Sequence, residues 1–380
     1  MLEVKDKKAC CGCQACYEAC PAKCISMVAD EEGFLYPKVN RADCLDCHLC
    51  EKACPIINDN PKAQDVPIAC FAAISNDTEI RLKSSSGGVF SQLAKAILNK
   101  GGVVFGARFD DSFAVIHSYT ETEEGLAPFR GSKYSQSDLH GAYAQVDSFL
   151  KENRPVLFTG TPCQIAGLRG YLRGKMADNL YLASIVCHGV PSPRVWKEYL
   201  ESITGGARPT EVNMRNKENG WSQYRMTIRR DGLDFLNEQA AEIPFMRAFL
   251  YNLTLRPSCY TCHFRGNHGS DLTLGDYWGI EDVHPELSDN KGTTLILIYT
   301  EKGRHLIEKL DIKLKESRYE DALRGNPSII YASPEPVERP LFWRSFRKCG
   351  AKALEDYTTD SRKARARILW ARLLRSIRKG

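Results

Sequence analysis

The chain has 380 residues, of which 43% are hydrophobic and 26% charged, with a formal net charge of +5. That size allows two or three domains with ample core, and the composition is that of an ordinary globular protein. No stretch reaches eighteen uninterrupted apolar residues and MLEVKDKKACCGC lacks an apolar h-region, so neither a membrane-spanning helix nor a signal peptide is expected, and the expected location is the cytoplasm. Sixteen cysteines in a compartment where disulfides are rare point to metal or redox chemistry. The positive charge gathers at the end of the chain, where residues 360–380 carry eight Lys or Arg against one Asp. The remainder is close to neutral, and nucleic acid is not an expected partner.

The first sixty residues contain two runs of the form C-x2-C-x2-C-x3-C-P. One places Cys10, Cys13, Cys16 and Cys20 before Pro21; the other places Cys44, Cys47, Cys50 and Cys54 before Pro55. Such runs hold two 4Fe–4S clusters in bacterial ferredoxins. Three closely spaced thiolates wrap one face of a cubane, and the fourth lies too far round and serves the other cluster. Cys10, Cys13, Cys16 and Cys54 are therefore expected at one cluster, and Cys44, Cys47, Cys50 and Cys20 at the other. Zinc is the competing reading, but zinc sites space CxxC pairs a dozen or more residues apart. Cys11 and Cys24 are surplus to this scheme, and Cys24 and Cys70 suit positions that a small apolar residue would fill. GFLYPKVN, at 33–40, resembles the hairpin that joins the halves of such a module. The polar, proline-bearing segment at 58–67 reads as a linker.

From residue 68 the pattern becomes α/β. IACFAAI predicts a strand. SSSGG, at 84–88, leads into VFSQLAKAILNKGG, whose apolar residues fall at helical spacing until Gly101 and Gly102, and GVVFGARF predicts the next strand. Small and hydroxyl residues ahead of a helix can present N–H groups to an anion, or can simply form a serine-capped turn. GSKYSQS, at 131–137, is a second polar loop with a lysine and a stackable tyrosine.

PVLFTGTPCQIAGLRGYL predicts strand, turn and helix, and LYLASIVCHGVPSP the following strand, so the two strands should be parallel neighbours. Cys163 and Cys187 would then face the carboxyl edge of the sheet, where open α/β sheets bind ligands. RPSCYTCHFRG adds Cys259 and Cys262 before the strand and turn LTLGDYWG. These four cysteines can complete a third cluster. Cys163 as a redox thiol at a helix N-terminus, Cys259 and Cys262 as a dithiol, and a structural zinc site are the other readings. The chain has no G-x-G triplet, so the nicotinamide-dehydrogenase fingerprint is absent.

Taken in order, SSSGGVFSQLAKAIL, GSKYSQS, LFTGTPCQIAGL, VCHGVPSP, NGWSQY, RPSCYTCHF and LTLGDYWG resemble the coenzyme F420 hydrogenase/dehydrogenase beta-subunit family over about residues 68–300. The resemblance implies an α/β (α+β) chain. A ferredoxin-like two-cluster module (1–57) and a linker (58–67) would be followed by an FAD and iron–sulfur flavoprotein domain (68–350), with 68–150 and 151–350 as candidate subdomains. It further implies that Ser85, Ser86, Gly87, Gly88, Lys133, Tyr134, Gln136 and Ser137 bind FAD. Gly160, Thr161 and Gln164 would line the flavin, Asp276, Tyr277 and Trp278 would close its pocket, and Cys163, Cys187, Cys259 and Cys262 would ligate the third cluster. His188, Lys217 and Trp221 are the candidates for the substrate side, His188 competing with a purely structural histidine.

The implied function is that of an oxidoreductase. A ferredoxin or other donor protein would feed the clusters, which pass single electrons to FAD, and the flavin would serve a small organic acceptor. Relatives reduce F420 or tetrapyrrole double bonds, and many bacterial ones are encoded near polysaccharide-building enzymes, so the acceptor stays open. A non-catalytic electron-transfer subunit and a thiol/disulfide reductase using Cys163 are the alternatives. A homo-oligomer is compatible with all of these. Residues 356–380 predict a basic amphipathic helix, with Ala366, Trp370, Leu373 and Ile377 on one stripe, suited to a peripheral membrane contact on the inner face, an acidic partner or the protein's own body.

Overall fold

The structure is a computed structural model and describes residues 3–58, 66–266 and 269–359. The expected linker falls outside the described residues except for 58, 66 and 67, and the expected tail helix does so except for 356–359. Among the described residues no helix is long and apolar enough to cross a membrane.

The N-terminal module is built around an antiparallel hairpin of β1 (Ile25–Ala29) and β2 (Leu35–Val39), which joins the two cysteine runs. Each run ends in a short helix, Ala15–Glu18 in one and Leu49–Ala53 in the other. The body is one mixed sheet of eight strands: β3 (Ala69–Ser75), β4 (Val103–Phe109), β5 (Val115–Thr120), β6 (Val156–Gly160) and β7 (Leu180–Ile185) come first. A separate three-stranded antiparallel sheet follows, made of β8 (Glu211–Asn216), β9 (Arg225–Arg230) and β10 (Leu233–Gln239). The chain then returns to the main sheet with β11 (Leu272–Asp276), β12 (Thr294–Ile298) and β13 (Ile312–Glu316).

The strand order is β13-β3-β12-β11-β7-β6-β4-β5. β4, β6, β7 and β11 run parallel, and β3 runs the same way because both β3 and β11 pair antiparallel with β12. The carboxyl ends of five strands thus share one edge. Strands from both sides of residue 150 alternate in this sheet, so 68–150 and 151–350 are interleaved within it. β6 and β7 read as continuous apolar runs because both faces of the sheet are covered; Leu157, Phe158, Leu180 and Leu182 are fully buried or nearly so. The small sheet packs its Met226, Ile228 and Leu236 against the helices Pro193–Thr204, Pro244–Leu250 and Arg339–Cys349, in a core rich in Trp196, Phe245, Phe342 and Trp343.

The helix Pro162–Tyr171 begins at Thr161, with proline in its first turn and the Gln164 side chain accepting from the Thr161 N–H at 2.9 Å. One of its faces carries Gly167 and Gly170, and the N-terminal module lies directly against them. A Cβ on Gly167 would stand 2.8 Å from Cys13 Cβ, and one on Gly170 would stand 2.3 Å from the Ala53 carbonyl oxygen. Cys11, Cys13, Ala15 and Ala53 therefore share an apolar core with Ile165, Leu168 and the strands behind them. A buried ion pair closes the other side of the seam, where Arg339 grips both carboxylate oxygens of Glu32. Ser192 caps the helix Pro193–Thr204 by accepting from Val195 N–H at 3.2 Å and donates its own hydroxyl to the Glu32 carbonyl.

In an exposed helix Gly→Ala gains about 1 kcal/mol. Gly170→Ala is expected to lose about 1–3 kcal/mol instead, because its methyl group meets rigid backbone. Chemical unfolding of the iron-loaded protein measures this, and a gain in stability would show that the helix does not dock at Ala53.

Candidate functional site

Three sets of thiols lie in sequence through the molecule. The outermost lines a small cavity with Cys20, Cys44, Cys47 and Cys50, beside Ile25, Val39 and His48. Cys47 is exposed. Cys24 lines the same cavity, with its sulfur 3.4 Å from that of Cys20. This neighbour, together with burial, pushes the Cys24 thiol up to about 12.

The second set is deeper. Cys54, from the second run, lies among Cys10, Cys13 and Cys16 from the first, so that Cys16 feels the charge of both Cys10 and Cys54. Burial is the leading cause of the raised pKa values of Cys16 and Cys54. Arg256 lies against this set, fully buried. Its Nε donates to the Cys10 carbonyl at 2.8 Å and its Nη2 lies 3.6 Å from Cys10 Sγ.

The third set lines a cavity at the carboxyl edge of the sheet. Cys163 comes from the first turn of the helix after β6, Cys187 from the turn after β7, and Cys259 and Cys262 from the 3-10 turn Pro257–Thr261 and its end. The wall on the module side is Cys11 and Ile56. Cys11 packs in one core with Cys13 and Cys163 and so stands between the second and third sets. The neighbouring Cys11 thiol, with burial, holds Cys163 well above the usual thiol value. Burial likewise raises Cys187, and pushes Cys259 up to about 12. Arg265 spans the cavity wall, donating to the carbonyls of Cys187, His188 and Ser328. Among the described residues, no three His, Cys, Asp or Glu side chains converge as the ligands of a single metal ion do.

The polar loops expected at a flavin meet nearby. Ser132 Oγ donates to Ser85 Oγ at 2.9 Å, joining GSKYSQS to SSSGG. Ser86 donates to the Thr293 carbonyl at 2.7 Å, and Gly87 takes the Thr294 hydroxyl on its N–H. A Cβ on Gly87 would stand 2.3 Å from the Ala73 carbonyl oxygen, and Gly88 has φ +89° at the start of the helix Val89–Leu98, so strand packing accounts for both glycines. Lys133 donates to the carbonyls of Arg130 and Gly131 at 2.9 and 3.2 Å, and among the described residues no carboxylate reaches it. Desolvation pulls its pKa down to about 7. The Ser135 hydroxyl in the same loop is buried without a partner.

Other expected site residues are held by internal contacts. Gln136 donates to the Cys11 carbonyl and accepts from Arg256, so it faces the module seam. Gln164 bonds Thr161 and Ser137, and Ser137 bonds the buried His117, whose pKa desolvation lowers to about 4. Gly160 precedes them at the end of β6, and Thr161 Oγ1 lies 3.1 Å from Cys163 Sγ. Tyr134 tilts against Phe249 and accepts from Arg215 at 3.1 Å. Tyr277 is fully buried in the core.

His188 bonds Asn252 at 2.6 Å and meets Phe249 edge-on, the surroundings of a structural histidine. Lys217 donates to the carbonyls of Arg81, Ser86 and Lys291 at 2.7–2.8 Å, which pins the SSSGG loop. Desolvation pulls its pKa down to about 7. Trp221 is buried, stacks on Trp278 at 4.4 Å, and donates to Asp276 at 3.3 Å. Asp276 also pairs with Arg215 at 2.9 Å, and the Arg215 guanidinium lies over Tyr224 and Trp278. Arg215 and His117 carry no local sequence signal; Arg256, three residues before Cys259, and Arg265, three residues after Cys262, have only their positions beside the CxxC to hint at their place.

No curated protein matches the chain. The family described as "Coenzyme F420 hydrogenase/dehydrogenase, beta subunit" matches in two parts, its N-terminal profile over residues 70–143 and its C-terminal profile over residues 153–321. A "4Fe-4S dicluster domain" profile matches residues 9–56. Among solved structures, a chain of the F420-reducing NiFe hydrogenase complex from Methanosarcina barkeri is similar at 16% identity and a TM-score of 0.49, covering 71% of this chain and 93% of that one. With the two family profiles together spanning well over half of its length and a dicluster module ahead of them, the chain belongs to the coenzyme F420 hydrogenase/dehydrogenase beta-subunit family.

Proposed function

We propose that this chain is an iron–sulfur flavoprotein oxidoreductase. It takes electrons from a ferredoxin-type donor at the exposed outer thiols, passes them inward to a third 4Fe–4S cluster, and delivers them through FAD to a small organic acceptor. The observation that carries this reading is the cavity lined by Cys163, Cys187, Cys259 and Cys262, walled on one side by Cys11 and Ile56 of the cluster module and set at the carboxyl edge of the sheet. Four thiols around one cavity match the ligand count of a cubane.

The residues near Lys133 suit an anionic group such as the FAD pyrophosphate. A desolvated ammonium without a carboxylate and a buried hydroxyl without a partner are both costly unless a ligand satisfies them. When bound, FAD exchanges electrons singly or in pairs and so joins one-electron centres to two-electron organic chemistry. The chain's own part is to hold and shape. Lys133, with Ser85, Ser132 and Ser135, binds the anion. Lys217 fixes the Ser86 loop through three carbonyls. Arg215 and Asp276 brace the Trp221–Trp278 stack as a rigid aromatic wall. In this reading His188, Lys217 and Trp221 position the crevice and do not exchange protons with substrate.

Anaerobic purification with iron, sulfide and released-flavin analysis tests the assignment. About twelve irons are expected with one FAD, falling to about eight in Cys163→Ala. An unchanged iron count would move Cys163 to thiol chemistry, and absence of flavin would leave an electron-transfer subunit.

Lys133 also gives FAD binding a pH dependence. Its pKa of about 7 without ligand rises when a phosphate restores a counter-charge. Affinity is therefore greatest below pH 7, where the free protein already carries the proton, and falls as pH rises above 7. Fluorescence titration with FAD from pH 6 to 9 should show this slope in the wild type, and weaker binding without it in Lys133→Met. Parallel profiles for the two proteins would remove Lys133 from the anion site.

A further inference from the structure

Arg256 is a buried cation with an unusual set of neighbours. Its side chain is fully buried. Nε donates to the Cys10 carbonyl, Nη1 to Gln136 Oε1 at 2.9 Å, and Nη2 to the Leu35 carbonyl at 3.0 Å. The guanidinium lies 4.3 Å from the centre of the Tyr36 ring and 5.4 Å from that of Phe34. Among the described residues no carboxylate pairs with it; its hydrogen bonds go to two carbonyls and to Gln136. Desolvating a guanidinium without a counter-charge is strongly unfavourable. Nη2 stands 3.6 Å from Cys10 Sγ, so the anion that this cation faces is the thiolate set of the inner centre. Room for it depends on Gly12, with φ +71°, where a Cβ would stand 2.6 Å from Nη1.

We propose that Arg256 sets the reduction potential of the inner cluster. Each reduction adds one electron to a centre that is already anionic. Burial alone makes that harder by withholding solvent from the added charge. A fixed guanidinium beside one ligand sulfur opposes this, since charge and hydrogen bonds at the sulfurs are what tune such potentials. Arg256 thereby keeps the buried centre able to take an electron from the exposed one, the outer centre being oxidised as the inner is reduced. It is a positioning residue, which touches a ligand and not the iron.

The inference rests on Cys10, Cys13, Cys16 and Cys54 as the inner ligands. Were that reading wrong, the inner four-iron signal would be missing, which differs from a signal whose potential does not move. The test is a redox titration of the full-length iron-loaded protein followed by EPR, with Cys47→Ser used to identify the outer centre and Cys163→Ala the proposed third one, so that the remaining signal belongs to the inner centre. In Arg256→Met the inner centre should lose at least tenfold in electron affinity, which is about 59 mV for one electron. Arg256→Lys, which keeps the charge, should recover most of it, and the outer centre should not move. An inner potential within twofold of wild type in Arg256→Met, or in Arg256→Gln if the methionine variant does not load, overturns the proposal. If neither neutral variant loads, the wild type decides. Its inner centre should titrate no lower than its outer one, and an inner centre more than tenfold weaker in electron affinity overturns the idea.

Discussion

The geometry of the molecule depends on how closely the helix Pro162–Tyr171 approaches the N-terminal module. Gly167 and Gly170 remove the side chains that would hold the two apart, and Cys13 and Ala53 occupy the space. The same helix carries Cys163 in its first turn. A single backbone contact therefore sets the separation between the second and third thiol sets, and Cys11 stands in the gap that results. In the proposed relay, electron exchange between centres depends steeply on their spacing, and a rigid seam here would serve that transfer as well as stability.

The seam is held from both ends by different physics. Near the thiols it is apolar and continuous with the core of the body. At the hairpin it is ionic, where Glu32 and Arg339 pair in a buried fork that also engages Tyr260. A buried pair of this kind adds little net stability over apolar packing, but a missing partner is costly. It therefore specifies one docking geometry more than it strengthens it. Burial raises the pKa of Glu32 and the Arg339 partner opposes that shift, as this balance requires.

Much of this was legible in the residues. The two C-x2-C-x2-C-x3-C-P runs announced the iron–sulfur module because ligand spacing is a local property. Apolar periodicity located β3, β6, β7 and the helix Val89–Leu98 for the same reason. The second sheet, β8–β10, escaped notice because its strands are polar and irregular. Both of its pairings contain register shifts. The contacts of Arg256 and Arg339 with the N-terminal module could not be read from local pattern, because Cys10 and Glu32 lie more than two hundred residues away. Cys11 and Cys24 looked surplus, since nothing in a spacing pattern says that a fifth thiol will line each cavity. Gln136 sits in GSKYSQS and Lys217 two residues ahead of NGWSQY, yet their hydrogen bonds go to the module seam and to the SSSGG loop.

The exchange of Cys20 and Cys54 between the two runs bears on the order in which the protein can mature. A ribosome delivers the first run early, but its three neighbouring thiols stay one short until residue 54 has been made. In the proposed third cluster, Cys163 and Cys187 would wait longer, until Cys259 and Cys262 have followed. Since domains fold as they leave the ribosome, the module can acquire iron while the crevice does not yet exist. The body would then fold against a loaded module, with the glycine face of one helix closing on a surface already in its final shape.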